Sequence, residues 1–150
     1  MNLLPLREAV QGRMEADATL DALLARDPSD KTLPAVIRGN LNKKAPVFPC
    51  VTYRLATADP LYQFAPTQTE GGGESPMVDF ALEIEAWAVD SDTVDAITGR
   101  LLTLWSGISL TFSNGRIYQS DKPFVALDLP DTELKVNFSL FRILLHVQFS

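Results

Sequence analysis

The sequence predicts an α+β domain: a mostly antiparallel sheet with long strands, one main helix packed on it, and short N-terminal helices. Three observations carry that expectation. The run MVDFALEIEAWAV alternates with a period of two, placing Val78, Phe80, Leu82, Ile84, Ala86 and Ala88 on one side and Asp79, Glu83 and Glu85 on the other. That is a half-buried strand with one apolar and one acidic face. Val94, Ile97, Leu101, Leu104 and Trp105 follow at helical spacing, as an amphipathic helix requires. The chain closes on Val136–Phe149, where Phe141, Ile143, Leu145, Val147 and Phe149 alternate with mostly polar or smaller residues. A strand feeding a helix that lies back on its own sheet is the nucleus of a layered domain.

In chain order, Leu3, Leu6, Val10 and Met14 recur at i, i+3/i+4 spacing and predict a short helix. Pro5 is tolerated in its first turn, where a backbone N–H has no intrahelical partner anyway. Asp17 is placed to cap a second helical piece carrying Leu20, Leu23 and Leu24, ended near Asp27-Pro28. Pro28–Ala45 is a long connection with an extended piece at Ala35–Arg38. Val47–Leu55 reads as a strand, and Pro46 and Pro49 imply either an edge position or a late start to its ladder. Asp59–Phe64 reads as a further strand or a turn. APTQTEGGGESP, with consecutive glycines Gly71, Gly72 and Gly73 flanked by Glu70 and Glu74, predicts a mobile loop over 65–76. Such a loop is either disordered or functional.

Asp90-Ser91-Asp92 stops the central strand and caps the helix with negative charge where the backbone dipole favours it. Gly107 supplies its C-terminal stop. Ser113-Asn114-Gly115, between Ile108–Phe112 and Arg116–Gln119, predicts a hairpin with a type I′ turn. Pro123–Leu129 is a further strand, ended by Pro130-Asp131. At about 3.3 Å per residue the central and closing strands would each span roughly 40 Å. They therefore either carry bulges or project beyond the core.

The 150 residues are most simply one domain, and 46% apolar with 21% charged residues suits a globular chain. A net charge of −6 argues against general nucleic-acid binding, which needs a basic excess. The single cysteine, Cys50, rules out an internal disulfide framework and fits a reducing compartment. MNLLPLREAV lacks the basic start and sustained apolar core of a secretory signal, and the most apolar run, FSLFRILLHVQF, is too short and too polar to span a membrane.

Charge is segregated along the chain. Lys31, Arg38, Lys43, Lys44 and Arg54 occupy a segment without acids, Lys31–Ala58, whereas Asp59–Gly99 carries nine acids and no base. This is either two solvated faces or a head-to-tail contact, the basic segment of one copy meeting an acidic surface of the next. In the second case Asp79, Glu83 and Glu85 line either the contact or a central opening as a negative wall.

Reaction chemistry is not legible. The only histidine, His146, lies in the closing strand beside large apolar residues, where a structural role is favoured, and no serine sits in a nucleophile-elbow pattern. One Cys and one His form no metal cluster. Asp90-Ser91-Asp92 lacks the glycine and terminal glutamate of a calcium loop. Gly71–Gly73 lacks the Lys-Ser/Thr of a phosphate loop. Cys50 reads as a buried inert thiol, Glu83 and Glu85 as a solvated pair, and Trp87 and Trp105 as packing residues where the strand meets its helix. No catalytic, cofactor or metal residue is assigned.

The order of elements carries more. Helices opening LLPLREAV precede a basic connection and the strand PVFPCVTY. A variable loop, the run VDFALEIEAWAVDSDTVDAITGRLLTLWSG, a hairpin and FSLFRILLHVQF follow. This order resembles the tail-completion or tail-terminator family of long-tailed bacteriophages and related tail-like particles, over nearly the whole chain. The resemblance implies a virion protein, assembled in the host cytoplasm, that forms a hexameric ring, caps the tail tube, halts its polymerisation and joins it to the neck. The partners implied are further copies of itself, the tail tube protein and a neck (stopper) protein, with a sheath protein as a further candidate. DNA passes through without sequence-specific binding, and neither enzyme activity nor a cofactor is implied. The loop 65–76, with Glu70, Gly71, Gly72, Gly73 and Glu74, then becomes a candidate contact with those partners. The rivals are another neck or head-completion protein, a small enzyme or ligand-binding domain, and a monomeric stand-alone domain.

Overall fold

A computed structural model describes residues 2–57 and 77–150. Two expectations, the strand or turn at Asp59–Phe64 and the loop over 65–76 with Glu70, Gly71, Gly72, Gly73 and Glu74, lie outside the described residues. The element order is α1 (Leu4–Glu15), α2 (Ala18–Leu23), β1 (Val36–Arg38), β2 (Cys50–Thr57), β3 (Met77–Ala88), α3 (Ser91–Trp105), β4 (Leu110–Phe112), β5 (Gly115–Asp131) and β6 (Val136–Phe149). The strands form one sheet in the order β1-β2-β3-β6-β5-β4, with β1 parallel to β2 and every other pair antiparallel. This is a mixed α/β architecture compatible with the α+β expectation.

Alternation decides what each face of the sheet does. Val78, Phe80, Leu82, Ile84 and Ala86 of β3 and Phe141, Ile143, Leu145 and Val147 of β6 turn to the helices and form the main core with Leu6, Val10, Met14, Leu20, Ile97, Leu101 and Trp105. The three helices cover that face. The opposite face carries a smaller cluster at one end, where Ala35, Cys50, Trp87 and Val136 are buried and Trp87 stacks on Phe138 at 4.4 Å between centroids. Trp87 thus packs away from α3, and only Trp105 lies at the strand–helix junction. The reason is parity: Trp87 is odd-numbered in a strand whose even positions face the helices.

The helix ends are held by named partners. Asp90 caps α3, accepting from the Thr93 N–H at 3.1 Å, and Gly107 follows the helix at φ +63°. Arg13 of α1 donates from Nε and Nη2 to the Leu104 carbonyl oxygen at 3.1 and 2.8 Å. That guanidinium satisfies a carbonyl the last turn of α3 leaves open and places a cation at the negative end of its dipole. Asp17 caps α2, accepting from the Leu20 N–H, and also pairs with Arg100 of α3. The Arg100 hydrogen bonds, against a burial cost, hold the Asp17 carboxyl below its ordinary range.

Several boundaries differ from the sequence expectation. The helix α2 stops at Leu23, short of Asp27-Pro28. The strand β2 starts at Cys50, so the prolines delay its ladder, and it is internal rather than an edge because β1 pairs on its outer side. Pro123–Leu129 is not a separate strand. It belongs to the 17-residue β5, which absorbs irregularity at three register shifts, with Lys122 and Asp128 at φ 53° and 56°. By contrast β3 and β6 pair without a shift from Met77↔Gln148 to Ala88↔Asn137. The hairpin forms, but not with a type I′ turn: Phe112 pairs with Gly115, and neither Asn114 nor Gly115 has positive φ. Gly115 is required by close approach instead. A Cβ there would lie 2.5 Å from the Gln148 carbonyl oxygen and 3.0 Å from the Phe112 ring.

Two glycine substitutions are therefore expected to move stability in opposite directions. Gly115→Ala should destabilise by roughly 1–3 kcal/mol through overpacking. Gly99→Ala, mid-α3 with open space around the added methyl, should stabilise by up to about 1 kcal/mol. Urea unfolding midpoints check both, and a neutral Gly115→Ala would contradict the hairpin register.

Candidate self-assembly surface

The face of the sheet not covered by helices brings together the three acidic residues singled out by alternation. Asp79, Glu83 and Glu85 of β3 share it as their spacing requires. In register beside them stand His146, Arg142 and Leu140 of β6 on one side, and Arg54 and Thr52 of β2 on the other. Arg54 Nη2 lies 2.8 Å from Glu83 Oε2. His146 Nδ1 lies 2.7 Å from Asp79 Oδ1 and its Nε2 lies 3.0 Å from Asp121 Oδ2. The acidic residues are thus interleaved with cations and do not form an uncompensated negative wall. Burial, eased by Arg54 and reinforced by Glu83, lifts the Glu85 carboxyl above its ordinary value.

Sequence alone put His146 beside apolar neighbours. It is instead half-buried on the polar face, clamped between carboxylates of β3 and β5. Partial burial opposes the imidazolium, but its hydrogen bonds to the Asp121 and Asp79 carboxylates, and their charge, outweigh it and raise the ring's pKa above its ordinary value. With a carboxylate on each nitrogen, the ring has no free edge to serve as base for a nucleophile. Cys50 is buried, which pushes its thiol up to about 12, so it carries no thiolate at neutral pH. Among the described residues no group of three or more His, Cys, Asp or Glu is arranged to hold a metal ion. Nor is any helix there long and apolar enough to cross a membrane.

The basic segment does not gather into one patch. Lys43 reaches Asp131 at 3.7 Å and Glu133 at 3.6 Å across the end of the sheet, contacts too exposed and too long to add much stability. Lys31, Arg38 and Lys44 are exposed and make no ion pair among the described residues. Arg38 and Arg54 converge at the β1–β2 margin on a pocket of about 220 Å³, lined also by Arg7, Gly39, Tyr53 and Leu55. Arg7 was missed by sequence reasoning because it belongs to α1, and only the fold brings it to the strand margin. A wider, open depression lies where the Asn40–Lys44 loop passes Glu85, Trp87, Asp131 and Phe138.

No family profile matches the sequence, and no curated protein matches it. A solved structure does share the fold: a chain of the virion of a native gene transfer agent (GTA) particle, 18% identical, with a TM-score of 0.62 over 96% of this chain and 95% of that one.

The histidine clamp has a pH signature. A pKa raised by folding contributes stability that is fully present below the unfolded value and is lost as pH rises through the folded value. Wild type should therefore exceed His146→Gln in stability well below pH 6.5, and the gap should close above the raised pKa. Urea midpoints across that range check it; a gap that widens toward alkaline pH would contradict the ion-paired histidine.

Proposed function

We propose that this chain is a structural subunit of a phage-type tail, working by shape and self-contact and transforming no substrate. In the specific reading, copies form a ring, hexameric in the family it resembles, that caps the tail tube, stops its growth and joins it to the neck connector. The observation that carries this is the whole-chain likeness to a gene transfer agent virion component, which agrees with the resemblance to tail terminators read from the order of elements. Two groups that sequence reasoning weighed for chemistry have structural surroundings. The histidine is sequestered by Asp79 and Asp121, and the thiol is buried.

The same observation fits a second reading, another ring-forming neck or head-completion protein, because the likeness is to a particle component and the fold does not specify a position in the particle. Removing the gene from a particle-producing strain separates the two. Loss of a terminator should leave tailless filled heads together with tubes of uncontrolled length. Loss of a neck or head-completion protein should leave tubes of normal, uniform length that fail to join, and that result would contradict the terminator reading.

A further inference from the structure

The sheet has two unlike margins. At one, β1 is only three residues long and the arginine pocket opens beside it. At the other, β4 pairs only with Gly115–Ile117, so from Tyr118 to Asp131 the strand β5 has β6 on one side and no strand on the other among the described residues. That open stretch is also the most apolar exposed part of the described chain. Of six exposed large hydrophobic residues, Tyr118, Phe124 and Leu127 all lie on it, with Phe124 55% and Leu127 47% exposed. Solvent-facing apolar side chains grouped on a strand with one edge unpaired mark an interaction surface.

The shape of this stretch narrows what it can receive. Its register shifts, its positive-φ residues Lys122 and Asp128, and Pro123 and Pro130 interrupt the hydrogen-bonding edge. An edge broken in this way resists continuous strand addition, so contact is made through side chains. Asp128 is exposed beside Leu127 and makes no ion pair among the described residues. The opposite margin offers its chemical complement. Guanidinium groups lining a small pocket suit a carboxylate, which they bind with charge-assisted, often paired, hydrogen bonds.

We propose that the open stretch of β5 docks against the β1–β2 margin of a second copy of this chain, with Asp128 seated at Arg7 and Arg38 and with Phe124 and Leu127 covered beside it. The contact rests on the ring reading above and supplies the two surfaces that reading leaves unspecified. Because β5 and β1–β2 lie on opposite sides of β3 and β6, the contact is heterologous. Each copy keeps one surface open for the next, and the series closes when the rotation permits.

Disulfide trapping tests it. Leu127→Cys and Arg38→Cys are placed together in the full chain, whose own Cys50 is buried and does not compete. Oxidation should give a ladder of cross-linked species beyond the dimer, while each single variant stays uncross-linked. Asp128→Asn and Arg38→Ala should each weaken self-association about tenfold, and their combination should do little more than either alone. The charge-swapped chain, Asp128→Lys with Arg38→Glu, should recover association. Efficient dimers from Leu127→Cys alone would place β5 against β5 and overturn the proposal. Assembled chains that give no ladder and are indifferent to Asp128→Asn would overturn this contact while leaving the ring intact. A chain that stays monomeric at every soluble concentration, with and without tail tube protein, would overturn both.

Discussion

The antiparallel pairing of β3 with β6 is the constraint on which the other elements depend. Its register runs unbroken from one end of β3 to the other, so one choice of pairing sets the side of every residue on both strands. A slip by one residue would turn one strand over relative to the other, sending either Phe80, Leu82 and Ile84 or Phe141, Ile143 and Leu145 to the solvent face. The same slip would bury Glu83 in the first case or Arg142 in the second. Burial under α1, α2 and α3 penalises that alternative strongly, since each of these apolar side chains contributes about 1.5–3 kcal/mol when removed from water. The remaining strands are free to be irregular because this pair is not. β5 accommodates its shifts, its prolines and its left-handed residues against a partner whose register with β3 is unbroken.

Around that pair the polar contacts tie elements that would otherwise slide. Arg13 fastens α1 to the end of α3, and Asp17 with Arg100 fastens α2 to its flank. Ser120 of β5 accepts from the Ile108 N–H and donates to the Trp105 carbonyl oxygen, closing the turn from α3 into the hairpin. On the open face His146 cross-links β3 to β5 through β6. Their common effect is to tie the helices to one side of the sheet and the strands to one another. The sheet thus has one face covered by helices, an opposite face that is polar except for the small cluster around Trp87, and two unlike margins.

Periodicity was legible wherever local pattern and tertiary demand coincide. The alternation of Met77–Ala88 and Val136–Phe149, the helical spacing from Val94 to Trp105 and the caps at Asp17 and Asp90 all read directly from sequence, because burial on one face imposes them. Features set by long-range contact did not read. Nothing local distinguishes Trp87 from Trp105, yet parity sends one to each side of the sheet. Gly115 suggested a positive-φ turn, whereas its role is to let the Gln148 backbone and the Phe112 ring approach. His146 lies among apolar letters, and only its cross-strand neighbours Asp79 and Asp121 reveal an ion-paired ring. Of the basic residues, Lys43 and Arg54 turned out to have acidic partners within the chain, and Arg7 reached the margin pocket from a helix with no basic cluster of its own.

The function proposed above is one of position as much as of shape: copies repeated around an axis at the point where a tube ends and a neck begins. Electron cryomicroscopy of intact particles tests this most directly. The account predicts density for this fold as a single closed ring at the junction of tail tube and neck, with neighbouring copies in head-to-tail contact. Finding the same fold elsewhere in the particle, repeated along the tube or absent from the junction, would contradict it.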